Sequence, residues 1–164
     1  MSARRLLRHL AMPDLAPRLR FPRAARRRVA AAIARAESGC GAQIHFAVEA
    51  ALSGKDVLAG RSPRARAVEV FHRLGLQRTR ERTAVLIYVL LADRAVEIVA
   101  DAAAAAVIPQ PDWEQLAREL AAHLREQRFE PGVIAAIART GALLAAHFPP
   151  LPGGTPLPDE PSIL

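Results

Sequence analysis

The chain has 164 residues, of which 51% are hydrophobic and 24% charged, which is the size and mix of one globular domain rather than of a disordered or fibrous protein. No apolar run approaches the roughly 20 residues that a membrane-spanning helix needs and the N-terminus lacks the apolar region of a secretory signal, so we expect an unexported, cytoplasmic chain. A single cysteine excludes an internal disulfide, and the net charge of +7 raises the question of anionic partners.

The positive charge is concentrated at the N-terminus. Residues 1–28 contain nine arginines and one acid, whereas the remaining 136 residues contain fourteen basic and fifteen acidic ones. We therefore divide the chain into an arginine-rich arm over residues 1–21, a folded domain over residues 22–148 and a proline-rich tail over residues 149–164.

The arm begins with a short amphipathic pattern that Pro13 ends. Three leucines fall on one side of a helical wheel and three arginines on the other. These residues are Leu6, Leu7 and Leu10, and Arg4, Arg5 and Arg8. Two interpretations are open: the arm binds an anionic membrane surface or phosphate through Arg4, Arg5 and Arg8, or it is a short helix docked on its own domain or a solvated tail.

The first part of the domain predicts a helix, a strand and a crossover helix. Apolar residues recur at helical spacing between Pro22 and Gly39. Residues 43–49 alternate between apolar and polar positions, which predicts a half-buried strand. Ser62 and Pro63 supply an N-cap and a first-turn proline for the next helix.

A hairpin and two helices follow. Residues 84–92 form a continuous apolar run typical of a central strand, and Asp93-Arg94 separates it from residues 95–101, so the two strands are antiparallel. Asp112 and Gln115 have the spacing of a capping box that opens a helix. The last helix is predicted to follow Pro131, and Gly141 on its apolar stripe indicates close approach to a neighbour. The tail is predicted to be extended or disordered.

This order of elements predicts an α/β fold. A parallel crossover plus an antiparallel hairpin gives a small mixed β-sheet, and the helices cover both of its faces in three layers, α/β/α.

Several segments resemble the TPM domain family. The sequence of residues 85–101 is similar to the central hairpin of that family, and residues 42–49 to its first strand. Trp113 resembles the tryptophan at a helix start, and residues 129–133 and 147–149 resemble the final helix. The resemblance covers about residues 25–150 and is to the short, soluble bacterial type.

The resemblance implies several activities. A thylakoid-lumen member is associated with acid phosphatase activity, and some members bind calcium or another divalent ion. Many bacterial members are membrane-anchored and encoded near LemA-like proteins. It therefore implies Ca²⁺ or Mg²⁺ as a cofactor, and a LemA-like or membrane-anchored TPM protein as a partner.

The topology places one candidate site at a sheet edge. If the first two strands are parallel, Glu49 and Asp93 lie at one edge and Asp101 lies at the other, beside the loop of residues 77–83. Hard cations favour several oxygen ligands. The candidate metal ligands are Asp101, Thr79, Glu81 and Thr83, and Asp101 is also the candidate catalytic residue.

The arginines of the same loop argue against a cation bound at Asp101. Arg78, Arg80 and Arg82 bring positive charge towards Asp101 and favour an anion instead. The glycine-containing turns of TPM relatives are replaced here by Arg82-Thr83-Ala84 and by residues 101–105. The alternative is an aspartate that pairs with an arginine or caps the following helix.

Three functions follow as hypotheses. The first is a non-enzymatic binding module associated with the envelope or a LemA-like assembly, at the inner face of the membrane. The second is a metal-assisted acid phosphatase that uses Asp101. The third is an anionic-surface binder that uses the arm. An aromatic content of 4% argues against binding of single-stranded nucleic acid.

Overall fold

The computed structural model describes residues 3–78, 81–150 and 161–164. Within these ranges the strands are β1 (Ile44–Glu49), β2 (Val85–Leu90), β3 (Ala95–Ala100) and β4 (Ser162–Ile163). The first five helices are α1 (Ala3–Ala11), α2 (Ala16–Arg20), α3 (Arg23–Ser38), α4 (Gly54–Leu58) and α5 (Pro63–Arg73), and a 3₁₀ turn (Leu76–Arg78) follows them. The last three helices are α6 (Ala102–Val107), α7 (Gln110–Arg125) and α8 (Phe129–Ala145).

The four strands form one mixed sheet in the order β3-β2-β1-β4. β1 runs parallel to β2, with Ile44 opposite Val85 and Glu49 opposite Leu90. β2 and β3 form the predicted antiparallel hairpin, in which Val85 lies opposite Ala100. The sheet therefore confirms the predicted crossover and hairpin.

Helices cover both faces of the sheet. On one face α3, α7 and α8 enclose a first apolar cluster, in which Phe46 and Ile87 of the sheet pack with Trp113. On the other face α4 and α5 enclose a second cluster, in which Tyr88 packs with Phe71. The predicted three-layer α/β/α arrangement is confirmed.

β1 is more deeply buried than its alternating sequence predicts. Five of its six residues are buried, and only His45 is partly exposed. The reason is that β1 lies between β2 and β4 and is covered by helices on both faces. Its polar end residue Glu49 is therefore inside the protein, 7% exposed.

Three local predictions are wrong. The capping box at Asp112 does not begin a helix, because α7 already begins at Gln110, after Pro109, with no side-chain cap. α8 begins at Phe129, so Pro131 lies in its first turn, where its missing N–H costs nothing. The short helix α4 lies in a segment for which no helix is predicted, whereas α6 is the helix that Asp101 caps in the alternative interpretation.

Both ends of the chain pack on the domain. Phe21, the last residue of the predicted arm, is fully buried, and its ring centroid lies 5.3 Å from that of Phe46. The predicted tail is described at its beginning and at its end. At its end Ser162 and Ile163 form β4 instead of an unpaired extension. Of the helices described, none is long and apolar enough to cross a membrane.

Candidate functional site

The hairpin carries one aspartate at each of the two sheet edges that the strand ends form. Asp93 lies in the turn after β2, at the edge where β1 and β2 end. Asp101 lies at the opposite edge, where its N–H donates to the carbonyl oxygen of Ala84 at 2.8 Å. The two acids are therefore separate sites, as the predicted topology requires.

Asp101 is held by an arginine and by a helix start. Arg82 Nε lies 3.1 Å and 3.0 Å from the two carboxylate oxygens, and Arg82 Nη2 lies 3.0 Å from Oδ1. Oδ1 also accepts a 2.7 Å hydrogen bond from the N–H of Ala102 at the start of α6. Both parts of the alternative interpretation, the arginine pair and the helix cap, are present in the structure.

Arg82 lies in the turn that leads into β2. Its φ of 55° lies in the left-handed region that disfavours residues with a Cβ. Two bonds hold it there: its carbonyl oxygen accepts from the N–H of Ala103 at 3.0 Å, and its side chain binds Asp101. These bonds therefore stabilise an arginine in a backbone conformation that favours glycine.

Among the described residues, the others predicted for this site are not gathered around Asp101. Glu81 and Arg78 are exposed, whereas Thr83 is buried and donates its hydroxyl to the carbonyl oxygen of Gly41 at 3.2 Å. Thr79 and Arg80 lie outside the described residues. Of the predicted set, the structure brings together Asp101 and Arg82.

The residues at this edge do not fit a bound Ca²⁺ or Mg²⁺ as they stand. Both Asp101 oxygens face a guanidinium, which repels a cation. Within residues 3–78, 81–150 and 161–164, no group of three or more His, Cys, Asp or Glu side chains is placed to hold a metal. A cation there would need several oxygen ligands that this arrangement does not supply.

At the other edge Asp93 binds α1. Arg5 Nη2 lies 2.8 Å from Asp93 Oδ2, and Arg5 Nε lies 3.1 Å from both oxygens. Arg5 Nη2 also donates to the carbonyl oxygen of Arg61 at 2.7 Å. Arg8 lies farther away, with Nη2 3.8 Å from Oδ1. The Asp93 side chain is 8% exposed, so this is a largely buried ion pair between the N-terminus and the hairpin.

His9 completes this contact. Its side chain is fully buried, its Nδ1 accepts a 2.9 Å hydrogen bond from the N–H of Leu52, and its Nε2 lies 3.1 Å from Asp93 Oδ1. Because Nδ1 is an acceptor, the neutral ring carries its proton on Nε2, facing the carboxylate. We call Arg5, His9 and Asp93 the α1 clamp.

The α1 clamp shifts the pKa of Asp93, the acid at its centre. Burial alone raises the pKa of Asp93, but the Arg5 guanidinium and the His9 ring outweigh burial and leave that pKa below its ordinary value. Asp93 is therefore ionised at neutral pH and holds α1 by charge.

A second buried acid lies at the same edge and anchors α5. Glu49 accepts a 2.5 Å hydrogen bond from the Tyr88 hydroxyl, and Arg66 binds both of its oxygens, at 2.9 Å and 2.7 Å. Burial and the neighbouring Glu49 raise the pKa of Tyr88, so its hydroxyl remains a donor. Both oxygens of Glu49 therefore accept hydrogen bonds, from Arg66 and Tyr88, as the oxygens of a buried acid in a structural network do.

A cavity between α7 and α8 is too small for a substrate. It is lined by Leu116, Leu120, His123 and Gly132 among others and has a volume of about 40 Å³. That volume holds a water molecule, whereas small-molecule sites are roughly 300 Å³ or more.

The N-terminal helices expose large apolar side chains. Leu7 and Leu10 on α1 are 67% and 68% exposed, and Leu15 and Leu19 at α2 are 60% and 70% exposed. Leu6 instead packs against the second cluster. Exposed arginines lie among these leucines, namely Arg4, Arg8, Arg18 and Arg20. We call these four leucines and four arginines the α1–α2 surface.

The sequence pattern predicts part of the α1–α2 surface, but it predicts none of the contacts of the α1 clamp. The helical wheel groups Leu6, Leu7 and Leu10, but it does not show that Leu6 turns inward while the other two stay exposed. The contact between Arg5 and Asp93 joins residues 88 positions apart, which no local pattern encodes. The weak available signal is that Glu49 and Asp93 end neighbouring parallel strands.

Comparisons with known proteins agree with this fold. The family model for the TPM domain, TPM phosphatase, matches residues 20–143. Among solved structures, the NMR structure of the BA42 protein from the psychrophilic bacterium Bizionia argentinensis sp. nov. is similar, with a TM-score of 0.75 and 24% identity. The match covers 86% of this chain and 93% of that one. No curated protein matches the chain.

Proposed function

Because this chain belongs to the TPM domain family, with the family match spanning most of its length, we propose that it is a non-enzymatic binding module that docks on an anionic lipid surface through its α1–α2 surface. The observation that carries this proposal is the exposure of four leucines in the most arginine-rich part of the sequence. An anionic leaflet attracts clustered basic residues, and leucines on the same helices enter the boundary between headgroups and acyl chains.

The spacing of the exposed leucines supports this function. Leu7 and Leu10 are three residues apart and Leu15 and Leu19 are four apart, so each pair lies on one side of its helical segment. The Leu10 side chain also lies beside Gly54 at the start of α4, and Leu58, one turn later on α4, is 55% exposed. The apolar surface therefore extends from α1 onto α4.

The charge of the arm also favours an anionic partner. Arg5 is committed to Asp93 and is only 21% exposed, so it is not part of the α1–α2 surface. In the described part of the chain, Arg4 and Arg18 are exposed and make no ion pair with a protein acid. Docking by these side chains places the protein at the cytoplasmic face of the membrane, where anionic lipids are concentrated.

Vesicle flotation tests the proposal. We expect the full chain to float with vesicles of equimolar phosphatidylcholine and phosphatidylglycerol but not with pure phosphatidylcholine, and to lose binding as ionic strength rises. The double variant Leu7→Glu, Leu10→Glu should abolish flotation. Each of Arg4→Gln and Arg18→Gln should weaken it by about fivefold, as expected for roughly 1 kcal/mol per basic residue.

The matched control is Val107→Glu. Val107 is 43% exposed at the end of α6, which follows Asp101 at the opposite edge of the sheet, so this variant should float like the unaltered protein. Equal flotation with both vesicle types, or unchanged flotation of the Leu7→Glu, Leu10→Glu variant, would refute lipid docking. Flotation only with vesicles that carry a LemA-like or membrane-anchored TPM protein would also refute it and would assign the surface to a protein partner.

A metal-assisted phosphatase is the second candidate function; it would use the buried Asp101 with Arg82 to bind phosphate, but the ion pair between these two residues argues against it. A generic aryl phosphate, assayed with and without Ca²⁺ or Mg²⁺, separates it from the first. Because Arg82 binds both oxygens of the Asp101 carboxylate, we expect the unaltered chain to hydrolyse this substrate no faster than the Asp101→Asn variant does. Metal-dependent turnover that Asp101→Asn abolishes would replace the binding function with the enzymatic one.

A further inference from the structure

The last strand of the sheet is also the end of the chain. Ser162 and Ile163 pair in parallel with Ala47 and Val48, and the N–H of Leu164 donates to the carbonyl oxygen of Val48 at 3.0 Å. Ser162 Oγ lies 2.9 Å from His45 Nε2. This strand is held by backbone bonds and one polar side-chain contact, the usual features of a strand added to a sheet edge.

The side chains of this terminal strand fit both faces of the sheet. Ile163 packs against the first apolar cluster and Leu164 against the second, while Pro161 is buried. Side chains that alternate into two different clusters fix the register of the strand. The edge of β1 is thus a groove that recognises an aliphatic strand with the sequence Pro-Ser-Ile-Leu.

The sequence before β4 allows the strand to reach beyond its own domain. Residues 149–160 contain five prolines, which lack the N–H that a sheet ladder needs. The 15 residues between Ala145 and Pro161 span at most about 50 Å.

We propose that the edge of β1 accepts the C-terminal strand of a second copy of this chain, so that two copies pair by exchanging β4. The exchanged strand makes the same contacts as the original one, because groove and strand are identical in both copies. A tethered strand competes at an effective concentration of about a millimolar, so exchange is favoured where copies are crowded together. This inference is independent of lipid docking, although a membrane surface supplies such crowding.

Disulfide trapping between two single-cysteine variants tests the exchange. Both full chains carry Cys40→Ala; one carries Ala47→Cys and the other Ser162→Cys. These positions are register partners in neighbouring strands, about 4.8 Å apart, which is within disulfide range. After mixing at about 0.1–1 mM, where copies match the effective concentration of a tethered strand, we expect cross-linked heterodimers in excess of both homodimers.

Two controls make the result decisive. Adding Ile163→Asp to the Ser162→Cys chain should lower the heterodimer yield at least about tenfold, the loss expected when a charge replaces a partly buried aliphatic side chain, whereas Ile163→Val should preserve the yield. A single chain that carries both Ala47→Cys and Ser162→Cys tests whether β4 occupies the groove of its own copy. An internal disulfide there without heterodimers in the mixture refutes exchange, and the absence of both disulfides refutes the groove. Neither result alters the vesicle experiment.

Discussion

Asp93 attaches the N-terminal helix chiefly through charge. Its carboxylate is nearly buried, and Arg5 and His9 approach it from the same helix. Removing one partner of such a pair leaves a buried charge unmatched, which costs more than the pair itself contributes. α1 has nine residues, too few to be stable as an isolated helix in water. Its order therefore depends on the α1 clamp.

We predict that Asp93→Asn releases α1 while the sheet remains folded. Losing the charge should weaken α1 docking by about 1–3 kcal/mol, the contribution of a hydrogen-bonded charged group. Amide hydrogen exchange measures this as faster exchange in Arg5–Ala11, with β2 and β3 unchanged. Glu81→Gln, which neutralises an exposed acid at the opposite edge of the sheet, is the control. Equal acceleration in both variants would contradict a specific role for Asp93.

The contribution of Asp93 should disappear in acid. Its pKa is lower in the folded protein than in the unfolded chain, so its stabilising effect is fully present above the ordinary aspartate pKa of about 3.9. That effect is lost as the pH falls through the folded value. We expect the stability difference between the unaltered chain and Asp93→Asn to be constant from neutral pH to about pH 5 and to shrink below pH 4. A stability difference that grew below pH 4 would show that folding raises the pKa of Asp93 instead of lowering it.

The packing of α3 against α8 depends on one glycine. A Cβ on Gly141 would lie 2.8 Å from the Cβ of Ala36 and 3.3 Å from its Cα, closer than two carbons can pack. The helices therefore approach at their backbones. The position of Gly141 on the apolar stripe of α8 predicts close approach to a neighbour, and the structure identifies that neighbour as Ala36 of α3.

We predict that Gly141→Ala destabilises the protein by about 1–3 kcal/mol, the usual cost of overpacking, although alanine is the better helix former. The matched test is the double variant Ala36→Gly, Gly141→Ala, which moves the methyl group to the other helix and should recover most of the loss. Gly39→Ala, where a new Cβ would lie 3.5 Å from the Ala36 carbonyl oxygen, is the tolerated control. Denaturant unfolding measures all three.

Long, periodic segments were predictable from sequence, and short or distant contacts were not. The apolar run of β2 predicts a central strand because only a strand covered on both faces tolerates it. α4 and α6 have five and six residues, which is too short for a periodic signal. β4 is stabilised by β1 rather than by its own sequence. At the candidate site, the predicted hairpin places Arg82 beside Asp101, because the loop that enters β2 lies next to the residue that follows β3. Arg5, in contrast, reaches Asp93 only through the complete fold.

The whole molecule is one sheet with an apolar cluster on each face. The only tryptophan, Trp113, lies in the first cluster, and the only tyrosine, Tyr88, lies in the second. Tyr88 is on β2 and its neighbours Ile87 and Val89 pack into the first cluster, so the two clusters share the strand that separates them. Neither cluster is complete without that strand.

We therefore predict a single cooperative unfolding transition. Trp113 fluorescence and the second-derivative absorbance of Tyr88 should give the same midpoint and slope in denaturant, because neither face of the sheet remains covered once β2 leaves it. Tyr88→Phe, which keeps the ring and removes the hydroxyl that binds Glu49, should lower the midpoint for Trp113 as well. Two separate midpoints would show that the layers unfold independently.

The clamp between Arg5 and Asp93 also sets an order of events during synthesis. The ribosome makes α1 first, yet its acceptor emerges 88 residues later. Throughout that interval the nascent chain presents leucines and arginines with nothing of its own to receive them. A membrane or a chaperone near the exit tunnel therefore meets this helix before Asp93 is available to bind Arg5.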